Sequence, residues 1–448
     1  MARWKLIVLI VLVFYVILTA VDKHFKCNLP HVVTSLCSAY KEGQVSGPLC
    51  SDLCEQNNIR LGKCLSSVIE KKVYDGAWQG REVIFKVNER WFMEFKELQK
   101  KTDNDLMSSF QNDVLFWVET MFGNCSQCST LVEKLTSYAD SNHNEIITAS
   151  EARTFVTLMY QQEAFMLMAL NESKHSLDFY GYCGGLYVTE KLPLIASSVF
   201  GEKWEFSEFS ILPDLFEPVE EMLRNFGKKI LDGPCSIPYV YSILNEALTL
   251  TKNLIFSTFS QEYIPSQREK FDFLYSLLDS TLSVSSNPYG LVQSCDIHLG
   301  NFGITNGSVV KFIDLDFMYP SVFLRTLLEQ KQCASDEDCW VGTMEDCHSS
   351  CDITTNTCSS MVHKQDLVNI CETHILFVFR HSSILSELTG NSTTGLRKAL
   401  GKLVVFCQTL SVAYSAEQLR HDILTVKEKL RIVEHNFSKM SWDKTLHV

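Results

Sequence analysis

Seventeen cysteines follow one uncharged apolar run, and together they limit both the compartment and the topology open to this chain. The run Leu6–Val21 (LIVLIVLVFYVILTAV) is preceded by Arg3 and Lys5 and followed by Asp22, Lys23, His24 and Lys26, the pattern of a secretory-pathway entry signal. Leu18 stands two positions before Ala20, where a cleavage site prefers a small residue. The run is therefore read as an uncleaved transmembrane signal anchor rather than a cleaved signal peptide. A single-pass type II topology follows, with residues 1–5 cytosolic and the bulk of the chain lumenal. Sixteen residues are short for about 30 Å of hydrocarbon, a deficit that Trp4 and snorkelling lysines offset at the interface.

Behind that signal the cysteines read as disulfides before they read as zinc ligands. They cluster as Cys27, Cys37, Cys50, Cys54 and Cys64, then as Cys333, Cys339, Cys347, Cys351 and Cys358, with Cys125 and Cys128 between. Spacing leaves the connectivity open. Five N-x-[ST] sequons, at Asn124, Asn171, Asn306, Asn391 and Asn436, are compatible with a lumenal glycoprotein. The 448 residues are 46% apolar, enough for more than one sizeable core. With 40 basic and 53 acidic side chains the net charge is −13, so the general attraction to phosphate backbones is missing and nucleic acid is discounted as a partner.

Along the chain, residues 22–72 read as a Cys-rich, turn-rich lumenal cap. Val83–Phe85 is a β-type run that ends at Lys86, and residues 94–132 read as amphipathic helix. "ADSNHNEIITASEA" (Ala139–Ala152) then leads into a helical stretch, Arg153–Leu170. "LDFYGYC" and "GLYVTEK" form a strand pair turning on Gly184–Gly185. From Pro213 onward helical periodicity dominates, through Phe216–Phe226, Tyr239–Phe259 and Phe271–Leu282, and it returns after Asp366. Strands first and helices later is an α+β order.

The chemistry concentrates in "SCDIHLGNFGI" (Ser294–Ile304) and "VVKFIDLDF" (Val309–Phe317). Phosphoryl transfer needs metal-binding oxygens, a base beside the acceptor hydroxyl, and a lysine on the phosphates held by a carboxylate. Asp296 and Asn301 have the spacing of a base and a metal-binding amide on one loop, and Asp314 follows the next apolar strand as a second metal ligand. Upstream, Val83-Ile84-Phe85-Lys86 fits a strand ending in the phosphate-binding lysine, and Glu163 is placed to be its partner on a helix.

On these residues and on the "CASDEDC…DCHSSCD…C" cluster, the chain resembles the divergent protein kinase domain 1 family over nearly its whole length. The resemblance implies a bilobal protein-kinase-like fold with an EF-hand-like insert in the small lobe, disulfide-rich segments, and residence in the endoplasmic reticulum membrane. Several positions depart from the kinase pattern. Ser294-Cys295 stands where His-Arg usually precedes the base, and Leu315-Asp316 where Phe-Gly usually follows the metal Asp. No Gly-rich loop precedes Lys86, since Gly62, Gly76 and Gly80 are scattered, and the Cys-rich insert at 333–358 lies where an activation segment would be.

A second site is legible at Asp140–Glu151 ("DSNHNEIITASE"). A calcium loop takes oxygens from positions 1, 3, 5, 7, 9 and 12. Asp140, Asn142, Asn144, the Ile146 carbonyl, Thr148 and Glu151 fill them, within an insert spanning roughly 130–160. Glu145 stands where glycine normally supplies positive φ, at a cost of roughly 1–2 kcal/mol. The exit helix is read as continuous with the helix that carries Glu163, a route by which calcium would orient the Lys86–Glu163 pair.

The expected division is therefore a Cys-rich segment at 22–72, a kinase-like small lobe at 73–192 and a large lobe at 193–448. The leading function is transfer of phosphate from ATP, with Mg or Mn, to a hydroxyl of a lumenal secretory-pathway protein or glycan, modulated by calcium. The alternative is a catalytically inactive pseudokinase acting as a calcium-responsive scaffold. A purely structural Cys-rich protein leaves the ordered charged motifs without a purpose.

Overall fold

The computed structural model describes residues 29–445 except 57, 69–70, 89–94, 96, 99, 201–264, 343–345, 376–377, 379–393 and 411–414. The apolar run Leu6–Val21 and the helix-period stretch from Phe216 to Phe259 lie outside the described residues. Among the described residues no helix is long and apolar enough to cross a membrane. The chain divides into two compact units, Met1–Leu29 with Ser197–Pro265 and Pro30–Ala196 with Ser266–Val448, and the second holds nearly all described residues.

That unit opens with helices α1 (Leu29–Lys41) and α2 (Cys50–Cys54), cross-linked by Cys37–Cys54. An antiparallel sheet of order β1-β2-β3-β5-β4 follows, built from β1 (Ile59–Val68), β2 (Lys71–Trp78), β3 (Arg81–Asn88), β4 (Phe179–Cys183) and β5 (Leu186–Glu190). The segment read as a turn-rich cap at 22–72 thus holds a whole strand, and the boundary placed at 72/73 falls inside β2. β1 hid from pattern reading because "IRLGKCLSSV" lacks clean alternation and is bulged against β2 between Leu61 and Ser66. Gly62 and Gly76 are glycine because a Cβ would meet the Asp75 carboxylate and the Arg60 carbonyl, at 2.2 and 2.4 Å respectively. Gly80, with Gln79, makes the positive-φ turn between β2 and β3. Cys50–Cys183 pins α2 to the end of β4.

Between β3 and β4 the described residues include helices α3 (Asp103–Phe122), α4 (Cys128–Ala139), α5 (Ala149–Met159) and α6 (Gln162–Ala169). Thr102 caps α3 through the Asp105 N–H, and Gly123 at φ +67° ends it, so the expected single helix is two. The stripe Leu106, Phe110, Val114 and Val118 of α3 is buried, and Phe110 meets Phe155 of α5 edge-on at 6.3 Å. The stretch read as one helix from Glu151 through Glu163 is broken. Gln161 is extended at φ −86°, ψ 107°. Two hydrogen bonds accompany the break: the half-buried Trp117 indole N–H donates to the Met159 carbonyl at 2.7 Å, and the buried Gln161 amide donates to the Gly185 carbonyl at 3.0 Å.

After β6 (Leu194–Ile195), helix α7 (Gln267–Ser285) begins at a Ser266/Glu269 capping box and buries Leu274, Leu277, Leu278, Thr281 and Val284. Short strands follow: β7 (Ser286–Asn287), β8 (Gly290–Ser294), β9 (Phe302–Ile304), β10 (Val310–Phe312) and β11 (Met318–Pro320). β10-β9-β6 and β11-β8-β7 form two small antiparallel sheets. Helix α8 (Ser321–Glu329) then packs on the Cys-rich sheet of β12 (Trp340–Val341), β13 (Cys347–Asp352) and β14 (Thr357–Val362). Its core is mostly sulfur with Leu324, Leu328 and Val362. The chain ends in α9 (Asp366–Asn369), which runs on into a π-turn at Ile370–Ile375, then α10 (Thr394–Gln408) and α11 (Ala416–Thr445). Cys371–Cys407 ties that turn to α10.

Candidate active site

Strand alternation on β3 sends Val83, Phe85 and Val87 to one face and Lys86 to the other. Helix α6 brings Glu163 in its first turn to meet that lysine, and Glu163 is fully buried. Burying a charge is tolerable only with partners of good geometry, and both have them. Lys86 Nζ lies 2.5 Å from Glu163 Oε1 and donates to the Ile313 carbonyl at 2.7 Å. The Tyr187 hydroxyl, on the neighbouring strand, donates to Glu163 Oε2 at 2.6 Å.

A second lysine, which pattern reading passed over, completes the cluster. Lys71, at the first position of β2, lies 2.7 Å from Glu163 Oε2, 3.0 Å from Asp314 Oδ1 and 2.7 Å from Asp316 Oδ2. Burial alone would raise the Glu163 carboxyl, but Lys71 and Lys86 outweigh it and hold the group down to about 2. Burial would lower the Lys71 ammonium, but Glu163, Asp314 and Asp316 outweigh that and raise it. Burial raises the Asp316 carboxyl, and the neighbouring Glu163 and Asp314 charges reinforce the shift against the pull of Lys71. Carboxylate oxygens of Glu163, Asp314 and Asp316 lie within 4.8 Å of one another, a hard-oxygen set suited to a divalent cation.

The loop after β8 carries the other two residues. Asn301 donates from its amide to the Asp296 carbonyl and to Asp296 Oδ2, each at 2.9 Å, which leaves the Asn301 side-chain oxygen for a metal. Burial would raise the Asp296 carboxyl, but His298, Asn301 and Lys71 together lower it, so it is ionised at neutral pH. The field of Lys71 at Asp296 and the Ile313 N–H to Asn301 carbonyl bond of 3.0 Å link this loop to the Lys86, Glu163 and Asp314 cluster. All five residues expected to handle nucleotide and metal are therefore in one neighbourhood.

The support that His-Arg would give this loop is built otherwise. Cys295 is bonded to Cys347 of β13, immediately before Asp296. The buried Asp366 carboxylate receives the Ser294 N–H at 3.0 Å and the Ser285 hydroxyl at 2.9 Å, and the Ile297 N–H donates to Asp346. Burial pushes the Asp366 carboxyl up to about 8, so it is largely protonated at neutral pH. Lys71, Tyr187, Asp346 and Asp366 carried no sequence signal separating them from ordinary lysines, acids and tyrosines, and Asp316 stood out only as a departure from Phe-Gly after Asp314. Cys347 was visible as a cysteine, but its partner was not.

Asp140–Thr148 is the loop between α4 and α5, with Glu145 at φ +65° and His143 at φ +58°, and Glu151 stands in the first turn of α5. Asp140 accepts the Asn144 and Glu145 N–H groups, Asn142 accepts from Asn144, and Asn144 accepts from Ile146. Thr148 and Glu151 form a capping box for α5, and the Ser141 hydroxyl and N–H donate to Glu151 Oε1. Burial would raise the Glu151 carboxyl, but Ser141 and Thr148 outweigh it and lower it. The Ile146 side chain is exposed. Cys347, Cys351 and Cys358, whose spacing also suits zinc, belong to three separate disulfides, with Cys295, Cys333 and Cys339.

Two family models match the chain. One, described as the protein-kinase domain of FAM69, covers residues 155–410, and the other, described as the N-terminal cysteine-rich endoplasmic reticulum region of FAM69, covers residues 1–137.

Proposed function

Because the chain belongs to the FAM69 family, a divergent kinase-like family of endoplasmic reticulum proteins, we propose that it transfers a phosphoryl group from ATP to a hydroxyl of a lumenal protein or glycan. The observation that carries this reading is the convergence of the buried Lys86–Glu163 pair, of Asp314 joined to it through Lys71, and of the part-buried Asp296–Asn301 pair. In it Glu163 fixes Lys86 toward the nucleotide phosphates. Asp296, held ionised, accepts the proton of the acceptor hydroxyl. Asn301 and Asp314 would hold Mg or Mn, which supplies neutralisation of the phosphate oxygens when bound. Lys71 adds a second phosphate cation at the β1–β2 connection, where the sequence Ile69-Glu70 offers no glycine whose N–H groups could grip a phosphate.

The same lysine also favours a second reading. Its ammonium bonds oxygens of Asp314 and Asp316 that a metal would use, as expected of a non-catalytic scaffold whose acids are neutralised internally. In either reading the helix–loop–helix of α4 and α5 is an EF-hand-like insert in a small lobe formed with the five-stranded sheet. Asp140, Asn142, Asn144, the Ile146 carbonyl, Thr148 and Glu151 would hold calcium, and any effect on the site would pass through packing, since α5 and α6 are separate helices.

The test is thermal stability of the chain with ATP and Mg or Mn, beside Asp314→Ala. A ligand at about 100 times its Kd adds roughly 2.7 kcal/mol. A metal-dependent rise in Tm that Asp314→Ala abolishes supports a nucleotide site, and phosphate incorporation into lumenal acceptors then separates the kinase from the scaffold. No rise with either metal removes the kinase reading.

A further inference from the structure

We propose that Asn306, at the tip of the β9–β10 hairpin, carries an N-linked glycan transferred from an oligosaccharide on a lipid diphosphate. The inference is independent of the nucleotide site and rests on the lumenal placement to which the disulfides point. Five sequons are equivalent as sequence, but the fold uses their asparagines differently. Asn391 lies outside the described residues. Asn171 is built into the structure: its amide donates to the Tyr138 hydroxyl of α4 at 2.9 Å, and its carbonyl accepts the Phe179 N–H of β4 at 3.3 Å. A sugar on that nitrogen would crowd the contact between helix and strand. Asn436 donates to the Ile432 carbonyl within α11 at 2.7 Å, and its Oδ1 lies 3.0 Å from where a Cβ on Gly395 of α10 would stand. A sugar there would crowd two packed helices. Asn124 is exposed, but Cys125 in the middle of its sequon is bonded to Cys128, which ties that sequon into a short ring.

Asn306 differs on each count. Thr305–Ser308 is a β-turn closed by the Ser308 N–H to Thr305 carbonyl bond of 3.0 Å, and Asn306, Gly307 and Ser308 are all exposed. Among the described residues no partner holds the Asn306 amide or the Ser308 hydroxyl. The hairpin is local, with Val310 opposite Ile304 and Phe312 opposite Phe302, so a glycan added before folding leaves it free to close.

A second observation comes from the backbone. Ser308 has φ +60° at the last position of the turn, where glycine is favoured, whereas Gly307 one position earlier has no positive φ and uses none of glycine's freedom. Glycine at 308 would relieve the turn, but it would remove the hydroxyl that makes Asn306 an acceptor. A residue kept in a costly conformation at an exposed tip points to a use for its side chain.

In the transfer, Asn306 Nδ2 attacks C1 of the sugar that is joined to the diphosphate. The C1–O bond breaks with its electron pair leaving on the lipid diphosphate, the C1–Nδ2 bond forms, and the displaced Nδ2 proton goes to a base of the lumenal transferase. Asn306 lies between Asn301 and Asp314 in the chain, so a glycan there also places those two residues in the lumen.

The experiment is peptide mass mapping of the folded full chain from a glycosylating cell, after enzymatic glycan release in heavy-oxygen water and beside an unreleased control. Release converts each occupied asparagine to a labelled aspartate. The expected result is label at Asn306 and none at Asn171 or Asn436. An unlabelled Asn306, or equal label at Asn171, overturns the proposal. Free thiols in place of the disulfides in the same maps would overturn it together with the lumenal placement. Two variants that both lose the glycan, Ser308→Gly and Asn306→Gln, test the argument from the turn. Ser308→Gly is expected to have the higher Tm of the two, since it relieves the positive φ. A lower Tm for Ser308→Gly would give Ser308 a structural use and overturn the reason for assigning the glycan here.

Discussion

At the scale of single residues, the site rests on one carboxylate shared by two lysines. Glu163→Gln leaves the buried Lys86 ammonium without its carboxylate, while Lys71 keeps Asp314 and Asp316, and a loss of about 3–5 kcal/mol in urea unfolding is expected. Lys71→Met takes away the ammonium that Glu163, Asp314 and Asp316 share and leaves three carboxylates within 4.8 Å of one another, so a loss of about 3 kcal/mol is expected in the same unfolding. If Lys71 is a phosphate cation, the same variant loses the stabilisation by ATP and metal. If it only neutralises the acids, the variant gains metal affinity without nucleotide, read by titration with Mn. Asp366 supplies a pH signature. Its folded pKa, about 8, is above the unfolded value, so its contribution is full below about pH 4 and is lost as pH rises toward 8. Wild type should therefore lose stability relative to Asp366→Asn between pH 5 and 8, by up to about 1.4 kcal/mol per pH unit. A flat difference would show that the carboxyl is ionised throughout. Lys86, Glu163, Asp296, Asn301 and Asp314 were legible because the kinase-like motifs restrict their order and spacing. Lys71 was not, since "EKKVYDG" holds two adjacent lysines and only the strand register decides which one faces the acids.

Among elements, the break at Tyr160–Gln161 matters most, because it makes the Glu163 helix a separate body from the exit helix of the Asp140–Glu151 loop. Gln161→Ala leaves the Gly185 carbonyl without its donor and should cost about 1–3 kcal/mol. A larger effect on the nucleotide-induced Tm shift than on basal Tm would show that the break positions Glu163. Any influence of calcium has to cross the packed faces of α5 and α6 in place of a continuous rod. Glu151→Gln tests this: unchanged nucleotide affinity with and without calcium removes the coupling. Amphipathic periodicity revealed α3, α4, α5 and α7, but not where they stop. The break is accompanied by bonds from Trp117 and to Gly185, both far away in sequence.

For the whole molecule, the disulfides join parts that hydrophobic patterning treats as independent. Cys50–Cys183 closes a separation of 133 residues, and in the chain-entropy account such a bond is worth about 5 kcal/mol. Replacing both cysteines with alanine should lower the denaturant midpoint by a corresponding amount, with the loss spread over the sheet because Leu49 and Ser46 also bond to Tyr182 and Gly184. Cys295–Cys347 acts on a smaller scale, tying the loop of Asp296 to the Cys-rich sheet.

The amino-acid sequence by itself determined the oxidising compartment, the kinase-like order of charged motifs and the helices α7, α10 and α11, because each is a local or evenly spaced pattern. Tertiary structure alone decided which cysteines pair, which lysine reaches Asp314, and what braces the loop of Asp296. Those outcomes depend on residues brought together across β-sheet register and helix packing, where a one-residue shift reverses the facing of a whole strand. The unpaired cost of a buried charge or carbonyl then selects the partner.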